Sequence, residues 1–409
     1  MGKVAVIGAG IIGVCIAHFL RKNGHEVTLF DQSNPGTQTS FGNAGLFASH
    51  ECVTVNSPQL WKNLPNMLLS KNGPLVIDWL YVLTHLPWAI KFLRNCTSAR
   101  VEHIAKSLSS FSSHAVLAYE EIFNEVDVSD NIVHKEPIYL YESKELFEKD
   151  QYALNLRKKN NVSFYIISKE QIKKIEPSLE SIYYNGIVFK GESYTISPLR
   201  ITQKIFDKFI NNGGHFIKSK VDSIFKNGDS LFFSCNEKEH QFDKIVVAAG
   251  AWSNILAKTI GDNFPLDTER GYHITFENNN NLLSRPVGWA KTSYYMTPME
   301  DEIRVAGTVE IAGLKKPMNR NMLTMIEETA RNILPKLGKV KSQWMGFRPT
   351  LPDSLPVIGE SQKCKNVYYA FGHQHLGLSL AAVTGKVIQS LINNQPSNIN
   401  IDFLSPYRF

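Results

Sequence analysis

Short apolar runs alternate with longer stretches of helical spacing along most of the chain, and residues 3–31 set the pattern. "KVAVI" at 3–7 is a β-branched run of the kind a buried parallel strand uses. Ile12, Ile16, Phe19 and Leu20 then recur on one helical face, and Gly24 suits the C-terminus of that helix. "EVTLF" predicts a second strand, with Asp31 at its end. Gly8, Gly10 and Gly13 stand between strand and helix in G-x-G-x-x-G spacing.

This order predicts a dinucleotide site. Gly8 permits the tight turn, Gly10 the approach of a pyrophosphate, and Gly13 close packing of helix on strand. Ile11 and Ile12 open the helix, whose free N–H groups and partial positive charge suit a phosphate. Asp31, followed by Gln32, is placed to accept from a ribose and to repel a 2′-phosphate. The unit alone serves FAD or NAD equally.

Further along, "QSNPGTQTSFGNAGLFASHE" reads as a long functional loop, and residues 57–125 read as mainly helical. Strands are expected at 137–143, 162–168 and 183–189. "SPLRITQKIFDKFINNGG" from 197 carries an N-cap serine, a proline at the first helical position and a closing glycine pair. Alternating strands follow through "HFIKSKVDSIF", "SLFFSC", "KIVVAAGAWS", "GYHITF", "SYYMTP" and "EIRVAGT", then a helix at 320–334. "NVYYAFG" and "GLSLAAVTGKVIQSLI" close the pattern as strand and helix.

The expected fold is α/β: a Rossmann-like nucleotide-binding domain from 1–50, 196–258 and 340–409, and a discontinuous α+β substrate domain from 51–195 and 259–339. The substrate domain should carry a large mixed or antiparallel sheet.

Composition narrows the function classes. At 409 residues, 43% hydrophobic and 20% charged, the chain is globular, and a formal charge of +6 without a dense basic tract gives no reason to expect nucleic acid. Five scattered cysteines without C-x-x-C argue against a disulfide framework or a zinc site, and no metal is expected. The first strand leaves no room for a signal peptide before it, which points to the cytoplasm. Residues 74–93, "PLVIDWLYVLTHLPWAIKFL", are apolar but interrupted by Asp78, His85 and Lys91, and Pro87 should break a helix there. The segment reads as a helix packed within the protein or as a surface helix meeting a bilayer or partner subunit.

A second helix opened by glycine, at Gly377, suits the pyrimidine end of a flavin, whose N1/C2=O edge gains negative charge on reduction; NAD has no need of it. "GAGIIG", "TSFGNAG", "VVAAGAWS", "GFRPTLPDSLPVIG" and "GHQHLGL" occur in the order and spacing of the FAD-dependent D-amino-acid oxidase superfamily. The chain resembles most the D-amino-acid dehydrogenase small-subunit branch, with its D-hydroxyproline dehydrogenases, and glycine oxidase more distantly. The resemblance implies noncovalent FAD. It places Thr39, Ser40, Asn43, Ala44 and Gly45 along the flavin, Val221 at the adenine, and Ala249, Gly250 and Trp252 near the ribose and pyrophosphate. Gly372, His373, Gly377 and Leu378 would close over the pyrimidine. The histidine and cysteine that attach flavin in some relatives are missing from "TQTSFGNAG" and "GFRPTLPD".

The resemblance also matches Arg348 to the arginine that grips the substrate carboxylate, and Tyr295 to the tyrosine beside it, with Tyr294 a rival. Tyr272 and Arg270 are further candidates for the pocket wall. His373 is either a support for reduced flavin or a hydrogen-bonded loop residue, and His50 lies within reach of the site. The implied reaction is oxidation of the Cα–N bond of a D-amino or imino acid, with electrons passed to a quinone or respiratory-chain acceptor. The alternatives are a glycine- or sarcosine-type oxidase and a flavin-holding subunit whose chemistry is done by a partner. The quinone reading places the protein in the cytoplasm, with peripheral contact on the inner face of the membrane through 74–93.

Overall fold

In the computed structural model, which describes residues 2–60, 75–278, 280–396 and 398–409, the first strand is Lys3–Ile7. It pairs in parallel with Glu26–Asp31 on one side and Lys244–Val247 on the other. Its four consecutive buried residues explain the run: a central parallel strand has no solvent face to mark with polar residues. His215–Lys218 and Val367–Phe371 extend the sheet in parallel, and Val357–Glu360 closes it antiparallel. Helices Ile11–Lys22 and Gly377–Ile392 pack against each other and against this sheet. Their backbones come close because residue 385 is glycine: a Cβ there would lie 2.7 Å from Phe19 Cδ2 and 3.0 Å from the Cys15 carbonyl. On the other face a three-stranded sheet, Val221–Asn227, Ser230–Cys235 and Lys238–Phe242, closes a second core.

The second domain is built on a nine-stranded mixed sheet. Its order runs Val340–Thr350, Asp267–Glu277, Glu302–Ile311, Tyr294–Pro298, Val287–Trp289, Ile138–Tyr141, Asn185–Phe189, Phe164–Ser168, with Leu75–Ile77 paired to Glu302–Ile311. Helix Arg320–Ile333 buries Met322, Leu323, Ile326, Ala330 and Ile333, one helical stripe, against the sheet.

Two domain boundaries shift. Residues 340–350 belong to the substrate sheet, where Val340–Thr350 pairs with Asp267–Glu277 along its length. Helices Ser98–Ser112 and Ala115–Phe123, expected in the substrate domain, bury Val101, Ile104, Leu108, Phe111 and Tyr119 in the core that holds Val14 and Leu380. An apolar stripe shows that a helix face is covered, not which neighbour covers it.

Pro87 does interrupt the 74–93 segment, giving helices Trp79–Thr84 and Leu86–Arg94 with the proline in the first turn of the second. Neither helix has a buried residue, which overturns the packed-core reading: Leu80 is 79% exposed and Leu83 60%. Of the helical stretch expected at 57–125, residues 61–74 lie outside the described residues.

Candidate functional site

The glycines of the first turn divide into two kinds. Gly8 has φ +111°, and a Cβ on it would lie 2.3 Å from the Ala248 carbonyl oxygen; one on Gly13 would lie 1.8 Å from the Gly8 oxygen. Both are glycine for packing. A Cβ on Gly10 would meet, among the described residues, only Ser40 Oγ, at 3.2 Å. The first intrahelical bond runs from Val14 N–H to Gly10 O at 2.9 Å, so the preceding amides point out of the helix. Ile11 N–H donates to Ser40 Oγ at 2.9 Å. Asp31 accepts from the amides of Ala9 and Ser33, both at 2.7 Å; burial raises its pKa and the two bonds oppose the rise.

Gly8, Gly10, Ile11, Ile12, Asp31, Gln32, Thr39, Ser40, Asn43, Ala44, Val221, Ala249, Gly250, Trp252, Gly377 and Leu378 line one cavity of about 760 Å³, with Tyr295, Arg348 and His373. Among the described residues, Gly250 and Gly377 have nothing within 4 Å of where a Cβ would be, so backbone is bared to the cavity on both walls. Gly13, Gly45 and Gly372 stand behind the wall. Gly45, at φ +78°, abuts the Thr195 oxygen, and Gly372, at φ +88°, abuts Leu351, so both make turns rather than contacts with a ligand.

The loop at 39–45 is fastened by the substrate sheet. Arg304 donates to the Phe41 and Asn43 oxygens at 2.7 and 3.0 Å, Thr297 to the Ala44 oxygen at 2.8 Å, and Thr39 to the Phe347 oxygen at 3.1 Å. The Asn43 amide is spent inside the loop, on Ser40 O and Gly45 N–H. His373 Nε2 lies 3.0 Å from Thr384 Oγ1, and burial drops its pKa to about 3. This imidazole is neutral at physiological pH.

The period of 2 along Asp267–Glu277 sorts the substrate-side candidates. Glu269 and Gly271 line the cavity, while Arg270 and Tyr272 face the other way. Arg270 pairs with Glu310 at 3.0 Å, and the Tyr272 hydroxyl donates to Glu310 while accepting from Asn319 N–H at 3.2 Å. Both belong to the core beneath helix Arg320–Ile333 and are removed from the site. Arg348 lies over Gly271, where a Cβ would stand 2.4 Å from its Cζ, and donates to the Thr308 and Gly307 oxygens at 2.8 and 3.4 Å. A bulge presents those carbonyls: the register slips between Arg270 and Tyr272, and Thr308 has φ +63°. Burial lowers the Arg348 pKa and Glu269 opposes the shift, so the guanidinium keeps its charge.

Tyr294 is buried in the sheet core and Tyr295 faces the cavity, which settles the rivalry for position. Two strands separate Tyr295 from Arg348 in the sheet, and both residues line the cavity. Tyr295 packs 5.9 Å from Tyr139, beside a second charged group that sequence reasoning missed. Arg157 pairs with Glu51 at 3.0 Å and lies over the Phe189 ring, on which His50 stacks at 3.9 Å. His50 Nδ1 is 3.3 Å from Glu192. Burial raises the Tyr295 pKa well above its ordinary value, reinforced by Tyr139 and Glu51 and opposed by Arg157. Nothing in the lysine-rich helix around Arg157 distinguishes it in sequence; only the fold does.

Residues 3–391 match the model of the FAD dependent oxidoreductase family. The chain belongs to that family. FAD is its cofactor, and the bared glycine backbone on both walls of the cavity fits a dinucleotide. This FAD-dependent oxidoreductase is 33% identical to a D-amino-acid oxidase of Bradyrhizobium diazoefficiens, over 99% of this chain and 98% of that one. It is 25% identical to a D-amino acid dehydrogenase of Rhizobium rhizogenes, over the whole of both. Among solved structures, glycine oxidase from Geobacillus kaustophilus superposes with a TM-score of 0.76 at 17% identity, covering all of both chains. L-proline dehydrogenase from P. horikoshii also gives 0.76, at 18% identity, over 100% of this chain and 97% of that one.

Proposed function

We propose that this oxidoreductase oxidises the Cα–N bond of a D-amino or imino acid and passes the electrons to a quinone or another respiratory-chain acceptor. The observation that carries the reading is Arg348, a charged guanidinium in the wall of the FAD cavity, held over Gly271 by two backbone carbonyls. With one N–H on each of these two nitrogens spent on backbone, the remaining donors match a carboxylate. FAD supplies the two-electron acceptor for the Cα hydrogen. The chain anchors the carboxylate on Arg348 and presents Tyr295, Tyr139 and Arg157 to the rest of the substrate. The imine product then hydrolyses to a 2-oxo acid, or stays cyclic when the substrate is a proline. The names of the relatives favour the D series.

The quinone reading draws on the exposed helices at 79–94. Leu75, at the start of that segment, lines the cavity, and Leu80, Leu83, Leu86 and Ile90 are exposed beside Lys91 and Arg94. Such a face suits a bilayer surface and an acceptor dissolved in it. An oxidase using O2 is the competing reading, because one curated relative carries that name.

The test is an anaerobic screen of D-amino acids, D-hydroxyproline, glycine and sarcosine for bleaching of the bound flavin, then reoxidation by quinone or air. Bleaching by a D-amino or imino acid with faster recovery on quinone supports the proposal. Bleaching only by glycine or sarcosine with fast recovery in air refutes it, and no bleaching at all leaves the chain a flavin-holding subunit.

A further inference from the structure

So far Glu269 has served only as the charge beside Arg348. It is only 3% exposed, yet it lines the cavity and stands opposite Arg348 in the antiparallel ladder. Cross-strand neighbours carry their Cβ atoms about 4.5–5.5 Å apart, so both side chains address one ligand. The guanidinium leans away over Gly271 to the Thr308 and Gly307 oxygens, and among the described residues Glu269 has no ion-pair partner. Among the described residues the groups facing it are Arg348 and the Thr350 hydroxyl, which hydrogen-bonds it, from the opposite strand, and Asp267 from its own. Asp267 in turn holds the Tyr81 hydroxyl at 2.8 Å, with His85 behind. His375 faces Arg348 from the far wall. Burial pushes the Glu269 carboxyl up to about 7, against the pull of Arg348.

We propose that Glu269 is the proton acceptor of the substrate site, taking the proton that the substrate ammonium sheds as its carboxylate docks on Arg348. An N–H bond breaks, an O–H bond forms on Glu269, and no electrons change hands. Before transfer the buried site holds Arg348 positive, Glu269 negative and a zwitterion; afterwards it holds Arg348 positive, Glu269 neutral and an amino carboxylate. Net charge is unchanged, and two carboxylates no longer compete for one guanidinium. The free amine left behind has the lone pair that hydride departure from Cα requires.

This rests on Arg348 being the carboxylate anchor, and it separates two kinds of ligand. A zwitterion brings its own proton. An amine-free acid must draw one from solvent, so its affinity is full while Glu269 is protonated and falls about tenfold per pH unit once Glu269 ionises.

The test uses FAD-loaded protein with propionate and with α-aminoisobutyrate, a zwitterion lacking a Cα hydrogen, followed by the visible spectrum of the flavin. In wild type, propionate affinity should fall about tenfold per unit above pH 7 while that of α-aminoisobutyrate stays level to pH 8.5. Propionate binding at pH 8 should take up close to one proton per site from a weakly buffered solution, and α-aminoisobutyrate none. In Glu269→Gln the propionate slope should vanish. A slope retained in Glu269→Gln, or equal slopes or equal proton uptake for both ligands in wild type, overturns the proposal even if the variant folds poorly. Arg348→Lys separates the premise: if it binds both ligands as wild type does, the anchor reading fails first.

Discussion

Replacing Arg348 with Lys keeps a positive charge in the cavity and removes the planar fork. The guanidinium spends one N–H on the Thr308 oxygen at 2.8 Å and a longer one on the Gly307 oxygen at 3.4 Å, and keeps the rest for a ligand. An ammonium has three donors on one atom, and those same two carbonyls compete for them. At most one directed bond is then left for the substrate, and the bidentate match is lost. A charge-assisted hydrogen bond in a partly desolvated site contributes about 1.5–3 kcal/mol, and the poorer aim of the survivor adds to the deficit. The expected loss of transition-state stabilisation is about 2–4 kcal/mol, or roughly 30- to 900-fold in kcat/KM. Steady-state reduction of an artificial electron acceptor measures it, with the flavin spectrum as the control for cofactor retention. Near-normal kcat/KM with full flavin content would refute the assignment.

Four further outcomes are expected. Acid precipitation should release intact FAD into the supernatant; flavin left on the polypeptide would mean a covalent link. Gly10→Val should give folded, colourless protein, since a Cβ there meets, among the described residues, only Ser40 Oγ, whereas Gly13→Val should fail to fold; circular dichroism and visible absorbance tell them apart. Tyr272→Phe should lower the melting temperature by removing a buried bond to Glu310, at a cost of about 1–3 kcal/mol, with kinetics unchanged, while Tyr295→Phe should change KM or kcat and leave stability nearly intact. Leu80→Gln with Leu83→Gln should shift the protein from the membrane pellet to the supernatant without loss of flavin; wild type wholly in the supernatant would rule out the bilayer contact.

How much of this was legible beforehand depended on whether the chemistry was local in sequence. The nucleotide cradle was readable because turn, helix start and acid fall within residues 3–31, and each is constrained within that span: Gly13 by sterics against Gly8, Asp31 by the hydrogen bond it accepts from Ala9. The place of Arg348 in the cavity wall was readable because its surrounding motif is. Tyr272 misled for a simple reason. "ERGYHITF" shows a strand but not which of its two faces meets the cavity, and a shift of one residue exchanges Tyr272 for Glu269 and Gly271. The register that fixes the face is set by pairing with Val340–Thr350, some seventy residues on. Glu269 had one signal available. It lies two residues from a glycine, and a strand that gives up a side chain at Gly271 has done so to let another group lie across it. That group is Arg348, so the neighbours of Gly271 on the same face are the residues the arginine must reckon with.

The second charged group, Arg157 with Glu51, was invisible for the opposite reason. Its partners come from the loop after the flavin segment, the helix Gln151–Lys159 and strands Ile138–Tyr141 and Asn185–Phe189, and none carries a pattern unlike an ordinary amphipathic surface. Such a cluster exists only once the sheet is assembled. The consequence for specificity is physical. The cavity has a guanidinium with an acid at each of two places, Arg348 with Glu269 and Arg157 with Glu51, separated by strands that hold Gly271, Gly307 and Tyr295. The two differ in how their charges are held. Arg157 is already paired with Glu51 at 3.0 Å, whereas Arg348 leans on neutral carbonyls and, among the described residues, forms no ion pair with Glu269, which the Thr350 hydroxyl bonds instead. A site that pairs one guanidinium internally, and whose other guanidinium faces an acid that takes up a proton as the ligand docks, has one place for a carboxylate. Its other end is suited to groups that hydrogen-bond without a net charge. Hydroxylated or amide-bearing side chains should therefore be preferred over a second carboxylate, and the same anaerobic screen, extended to D-serine, D-glutamine and D-glutamate, reads that ranking directly. D-glutamate bleaching the flavin faster than D-glutamine would show that Glu51 does not hold Arg157 as tightly as this geometry requires.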